Sequence, residues 1–181
     1  MINAALELGR SRGFKVAEGK TIVSGNFVKL VANGADTVNP LIDLVAGDEA
    51  DTEASIFGIA ADDNTKIPAD KTAALGFDVI DNWYKNHLVA AYLKGGLFSI
   101  WNDGRGAVYA DDVIGAAVGT PLFVAAGKVT TTAGADDTLG AIKVGSVVRA
   151  PVAAGQATGY PVSGSANVTG QNGVLYFKAD I

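Results

Sequence analysis

The chain reads as a mainly β protein of short antiparallel strands carrying an N-terminal arm. Three observations predict this. Apolar residues come in short bursts rich in Val, Ile, Phe and Tyr, not at helical spacing over long windows. The bursts are bounded by Gly, Asp, Asn and Thr, the residues from which tight turns are built. The 23 glycines spread over 181 residues leave few windows in which a helix of several turns could nucleate.

Taken in order, Ala4, Ala5, Leu6 and Leu8 could begin a helix. Gly9 and Gly13 interrupt it before an amphipathic pattern develops, so residues 1–13 are expected to form an extended or partly ordered arm. Residues 14–181 then form the β body. From Phe14 to Leu30, short apolar bursts are broken at Glu18-Gly19-Lys20 and Ser24-Gly25-Asn26, which predicts strands joined by tight turns. Residues 32–54 mix Gly, Asp and Asn with one Pro and read as a long polar loop, the acid run Asp48, Glu49, Asp51 and Glu53 being solvated.

A strand is expected at Ile56–Ala60, then a turn at Asp62–Thr65. The aromatic stretch 76–101, with Trp83, Tyr84, Tyr92, Phe98 and Trp101, predicts two or three strands, and any subdivision of the body falls near 76–110. Asn102-Asp103-Gly104 reads as a hairpin turn joining Leu97–Trp101 to Ala107–Tyr109, because Asp-Gly supplies positive φ angles. Further strands are expected at Pro121–Ala125, Lys128–Thr132, Leu139–Val148 and Gly173–Ala179. The stretches 22–28 and 57–60 echo 118–124 and 139–142, as two related β subdomains would.

Composition narrows the function classes. No cysteine is present, which excludes disulfides, thiolate metal sites and thiol nucleophiles and suits a reducing compartment. Fourteen basic against 19 acidic residues give a net charge of −5 without a basic cluster, so a nucleic-acid partner is not expected. The first residues lack the apolar core of a signal peptide, and the longest uncharged stretch, Val113–Gly127, is broken by Gly and Pro and falls short of a membrane span. Only 18% of residues are charged, well below the usual quarter, so much of the surface is expected to meet other protein.

Catalytic motifs are sparse. Gly13 and Gly19-Lys20-Thr21 nearly spell a phosphate-binding loop, but five residues separate the glycines where the motif needs four, so a strand turn is expected. His87 is the only histidine and has no second ligand nearby. The pairs Asp62-Asp63, Asp111-Asp112 and Asp136-Asp137 offer hard oxygens but sit where Asp is favoured in turns. The aromatic block reads as core and subunit interface, with a sugar-stacking platform of Trp83, Tyr84 and Trp101 as the other reading. Asn167-Val168-Thr169 matches a glycosylation acceptor without a secretion signal. No enzyme activity, cofactor or metal is expected.

The order of strand, glycine turn, strand ending Val28-Lys29-Leu30, polar loop and Phe57-Gly58-Ile59-Ala60 resembles that of bacteriophage head decoration (cement) proteins. The resemblance returns at Gly127–Thr132, Leu139–Ile142 and the C-terminal strand, and so spans most of residues 14–181. It implies a β-barrel or β-tulip-like body that binds the outer capsid surface of a virion after assembly in the host cytoplasm. Its partners would be the major capsid protein and the chain itself, often as a homotrimer, with no nucleic acid and no membrane. It also implies an arm reaching a neighbour, here around Leu6, Leu8, Arg10 and Arg12, the arginines meeting acidic capsid. Val174, Tyr176 and Phe177 are expected on an edge strand able to pair with an adjacent subunit. A tail-tube or connector subunit is the other structural reading.

Overall fold

The computed structural model describes residues 2–4, 11, 13–47, 51–52, 55–64, 88–93, 95–102, 106–134, 142–152 and 173–181. Over these the protein is mainly β, two antiparallel sheets of which one curls into a half-barrel. In chain order the strands are β1 (Ile2–Ala4), β2 (Phe27–Asn33), β3 (Asp36–Leu44), β4 (Gly58–Ala60), β5 (Ala91–Tyr92) and β6 (Gly96–Ile100). Then follow β7 (Pro121–Ala125), β8 (Lys128–Thr130), β9 (Lys143–Arg149) and β10 (Leu175–Ala179). A 3₁₀ turn stands at Asp111–Val113.

The larger sheet has the order β1-β6-β10-β9-β7-β8 and the smaller β3-β2-β4-β5. The two share a plan. Each has a hairpin, then a strand returning to the far side of the hairpin's first strand, then one more outside it: β3-β2-β4-β5 matches β8-β7-β9-β10. Two residues ahead of each first strand stands a glycine with positive φ, Gly25 at 106° and Gly119 at 84°, a conformation that only glycine adopts without strain. The stretches that echo one another in sequence lie along or next to corresponding strands of these two units wherever they are described.

The main core fills the space between the sheets. Phe27, Val45 and Ile59 of the smaller sheet meet Phe98, Ile100, Leu122, Val124, Val144, Val147, Leu175 and Phe177 of the larger. Phe177 stacks on Phe98 at 5.7 Å and lies 6.3 Å from Phe27. Each such side chain contributes about 2 kcal/mol relative to exposure. The smaller sheet is buried on its other face too, where Val28, Ile42, Ala60 and Ala91 pack with Phe14, Ile22 and Val89. Strand alternation explains this: Phe27 and Ile59 point one way, Val28 and Ala60 the other.

Backbone bonds tie the sheets together. Phe27 N–H donates to Gly127 O at 2.8 Å, Gly127 N–H to Val45 O at 2.7 Å and Ala126 N–H to Ala46 O at 2.8 Å. Asn26, 3% exposed, completes the seam: its Oδ1 accepts Val23 N–H, and its Nδ2 donates to Gly127 O and Ala107 O. At Gly47 (φ 79°) an added Cβ would stand 2.1 Å from Val124 O, so the chain between the sheets passes where no side chain fits.

Several expectations are corrected. Residues 32–54 are not one loop: β2 runs on to Asn33 and β3 occupies Asp36–Leu44, with Asn33 paired to Asp36 across a two-residue turn. Asp51 is not solvated; it is 6% exposed and accepts Lys29 Nζ at 2.7 Å and Ala46 N–H at 2.7 Å. The expected hairpin around Asn102-Asp103-Gly104 does not pair its flanks, because both edges of β6 are taken, one by β1 and one by β10. The arm is not wholly extended from the body: Ile2–Ala4 lies antiparallel on β6, Ile2 opposite Ile100. The strand carrying Tyr176 and Phe177 is no edge, since β10 is paired to β6 on one side and β9 on the other.

Candidate functional site: the outer face of the six-stranded sheet

Antiparallel partners directly opposite each other share a face, so the register assigns each side chain of the larger sheet to core or surface. Phe98, Phe177 and Val147 form one inward row, and Ile100 with Leu175 another. Between them lies the row Ser99, Tyr176 and Arg149, of which Ser99 is buried, and beyond the first lies the row Leu97, Lys178, Ser146 and Pro121, with Phe123 opposite Lys143. Leu97 is 45% exposed, and Pro121, Lys143, Arg149 and Lys178 are exposed as well.

A β-bulge shapes the middle of this face. Phe177 is opposite Val147 while Tyr176 is opposite Arg149, so Val148 is the extra residue and Arg149 is brought onto the same face as Tyr176. Just beyond, Arg149, Pro151, Val152, Gly173, Val174 and Tyr176 line a shallow groove. Its walls are pinned from below. Gly173 N–H donates to Val152 O at 3.1 Å, Gly115 N–H to Pro151 O at 3.0 Å, and the buried Tyr109 hydroxyl to Gly173 O at 2.6 Å. Burial, and secondarily the negative charge of Asp111, push the Tyr109 phenol far up, so it remains a donor at any physiological pH.

The charge on this sheet has one sign. Its six strands contain four charged residues, Lys128, Lys143, Arg149 and Lys178, all basic in a chain of net charge −5. Acids stand at its rim: Asp180 pairs with Lys178 at 3.2 Å, and Asp112 is bonded to Thr130 of β8. Arg149 and Tyr176 thus share one groove with Pro151 and Val152, and Arg and Tyr are residue types enriched at protein contacts.

Carboxylates elsewhere serve the fold. Asp112 accepts the Thr130 hydroxyl, the Thr132 hydroxyl at 2.7 Å and the Thr131 and Thr132 N–H groups at 3.1 and 3.0 Å. Asp63 accepts Ser24 N–H at 2.6 Å and Asp62 accepts Ala90 N–H at 3.3 Å. Gly19 and Lys20 belong to a turn over Ala17–Lys20, closed by Lys20 N–H on Ala17 O at 3.2 Å. No group of three or more metal-ligating side chains occurs among the described residues.

Of the contact residues expected from sequence, Val174 and Tyr176 line the groove, whereas Phe177 is fully buried and belongs to the core. Leu6, Leu8, Arg10 and Arg12 lie outside the described residues, as do Trp83, Tyr84, His87, Asp136, Asp137 and Asn167. Trp101 is half-buried just past β6. Sequence reasoning missed Lys143, Arg149 and Lys178; the signal available was that the charges in the last predicted strands are all basic. Comparison of the chain with protein-family models, curated proteins and solved structures finds no match.

Proposed function

We propose that this protein is a non-enzymatic structural subunit that binds the outer surface of a bacteriophage capsid, as a homotrimer, and cements neighbouring copies of the major capsid protein. The observation that supports this reading is the six-stranded sheet, packed on one face and open on the other, with apolar, aromatic and basic side chains in rows across a broad surface. Such a face suits extended contact with a shell. A subunit that binds only the assembled state shifts assembly toward that state by mass action, so no bond-making step is required.

The test is to mix the purified protein with capsids that lack it, sediment the particles, map bound copies by cryo-EM and record the temperature at which particles rupture. Saturable binding at outer symmetry axes with a raised rupture temperature is the expected outcome. Absence of particle binding, or assembly of the protein into stacked hollow rings, would move it to a tail-tube or connector role.

A further inference from the structure

We propose that the β2–β3 hairpin of one copy of this chain docks on the β7–β9 end of the six-stranded sheet of a second copy, with Val38 over Phe123 and Pro121 and the Asp36 carboxylate facing Lys143. This rests on the reading that the protein works as a homotrimer, and it names the surfaces that join the subunits. The hairpin carries a knob. Between the pairs Asn33–Asp36 and Val31–Leu41, residues 37–40 of β3 stand opposite Ala32 alone, so the strand bows outward. Asp36 fixes the bow: its Oδ1 accepts the N–H groups of Val38 and Asn39, and its Oδ2 accepts the Asn39 side-chain amide at 3.1 Å. Val38 is held there 74% exposed, an apolar side chain set in place before any partner arrives. An ionised carboxylate has about four acceptor sites, so these three neutral donors leave Oδ2 room for a cation. The same bonds, that of the Asn39 side chain first, hold the Asp36 carboxyl below the usual carboxylate range.

The larger sheet carries the seat. Phe123 is half-buried and stands outside both core clusters among the described residues, while Leu122 and Val124 on either side of it point inward. Lys143 lies opposite Phe123 on β9, and Pro121 and Ala125 share its face of β7. Lys128, opposite Ala125, adds a second cation. Neither lysine has an ion pair among the described residues, whereas the rim acids are engaged, Asp180 by Lys178 and Asp112 by Thr130, Thr131 and Thr132. An apolar side chain with a fixed anion therefore matches an apolar surface with two cations, and one chain bears both halves. Within a single chain they do not meet: Val38 is exposed, and Asn33 at the hairpin's far end is about 20 Å along β2 from Phe27 at the seam. A threefold ring needs a contact of this kind, because its interface joins two different patches, whereas a twofold one joins a patch to itself.

The test is sedimentation velocity of the full chain over a range of concentrations, at about 50 and about 500 mM salt. The wild-type chain is expected to assemble reversibly into a closed oligomer, less so at high salt. Asp36→Asn/Val38→Ser spoils the knob while keeping an acceptor for the bow, and Lys143→Glu spoils the seat; all three positions are exposed. Each variant, once circular dichroism shows it folded as wild type, is expected to associate at least about tenfold more weakly and to run as a monomer. Mixed at the top of the concentration range, the two are expected to form a one-to-one dimer and nothing larger, because one copy keeps only its seat and the other only its knob. Lys15→Glu/Lys20→Glu, on exposed positions outside both surfaces, is expected to assemble as wild type. A wild-type chain that stays monomeric, variants that assemble as wild type, equal loss in the Lys15/Lys20 variant, or a mixture that stays monomeric or regains the full oligomer overturns the proposal. Assembly of this kind without capsid binding sustains the interface and removes the decoration reading. Capsid binding as isolated monomers overturns the interface and leaves the decoration reading standing.

Discussion

Two carboxylates, Asp51 and Asp112, fasten loops to strands. Burial pushes both upward, but hydrogen bonds outweigh it: Lys29, Gly47 and Ala46 hold Asp51 below the usual carboxylate range, and Thr130, Thr132 and Thr131 do the same for Asp112. A carboxyl whose pKa is lower in the folded chain stabilises the fold above its unfolded value and loses that contribution as pH falls through the folded one. The melting temperature is therefore expected to be flat between about pH 5 and about pH 9 and to fall below about pH 4. Asp51→Asn and Asp112→Asn should each lower it at neutral pH, by about 1–3 kcal/mol of stability, and make the acid decline shallower. Thermal unfolding followed by circular dichroism across pH checks this, and an unchanged acid decline in both variants would refute it. Neither role was legible in the sequence. Asp51 sits in an acid run, and the cation that binds it is 22 positions away. Arg149 is placed opposite Tyr176 by a bulge, and no local pattern announces one.

The hairpins and edges explain what could be read at the level of elements. Strands β7 to β10 match expectation closely because each is a short apolar burst between turn residues. Strand β3 escaped because Asp36, Asn39 and Pro40 look like loop, and those residues have a use there. Asp36 Oδ1 accepts the N–H groups of Val38 and Asn39, Pro40 has none, Ile42 N–H donates to Lys15 O and Leu44 N–H to Asp43 Oδ1. The outer edge of β3 thus has few donors left to recruit another strand. At the other end of the larger sheet, β8 is covered by Val129 N–H on Val108 O and Ala110 N–H on Val129 O. The β7–β8 hairpin turns on Ala126 and Gly127, both with positive φ, 49° and 75°, as a type I′ turn requires. Alanine is poorly suited to that conformation, at a cost of about 1 kcal/mol. Ala126→Asn, which keeps the N–H bonded to Ala46 O, is expected to raise stability by about 0.5–1 kcal/mol. Urea unfolding measures it; a lower midpoint at unchanged slope would count against this account of the turn.

Across the whole molecule, the fold class was readable because short glycine-bounded bursts permit little but strands, whereas the pairing was not, since Ile2 meets Ile100 and Phe27 meets the Gly127 carbonyl. Val174 and Tyr176 were selected for an edge they do not form, and they reach the surface through the groove instead. The seam between the sheets is where the molecule's cohesion is tested. The amides of Phe27, Ala126, Gly127 and Val45 bond there, and none can open without loosening it. These amides are expected to exchange with solvent hydrogen only through global unfolding, with the same free energy as those in β9 and β10. Faster exchange at the seam would mean that the sheets part independently.

The shared strand plan also has a kinetic consequence. Each four-strand unit starts from a hairpin with a two-residue turn, β2–β3 and β7–β8, and such hairpins form in about 1–10 μs. The later partners arrive over long excursions of chain, from β4 at Ala60 to β5 at Ala91 and from β9 at Arg149 to β10 at Leu175. Refolding is therefore governed by two slow ring closures, each waiting on its own stretch of connecting chain, and shortening either stretch should speed one of them and leave the other at its original pace.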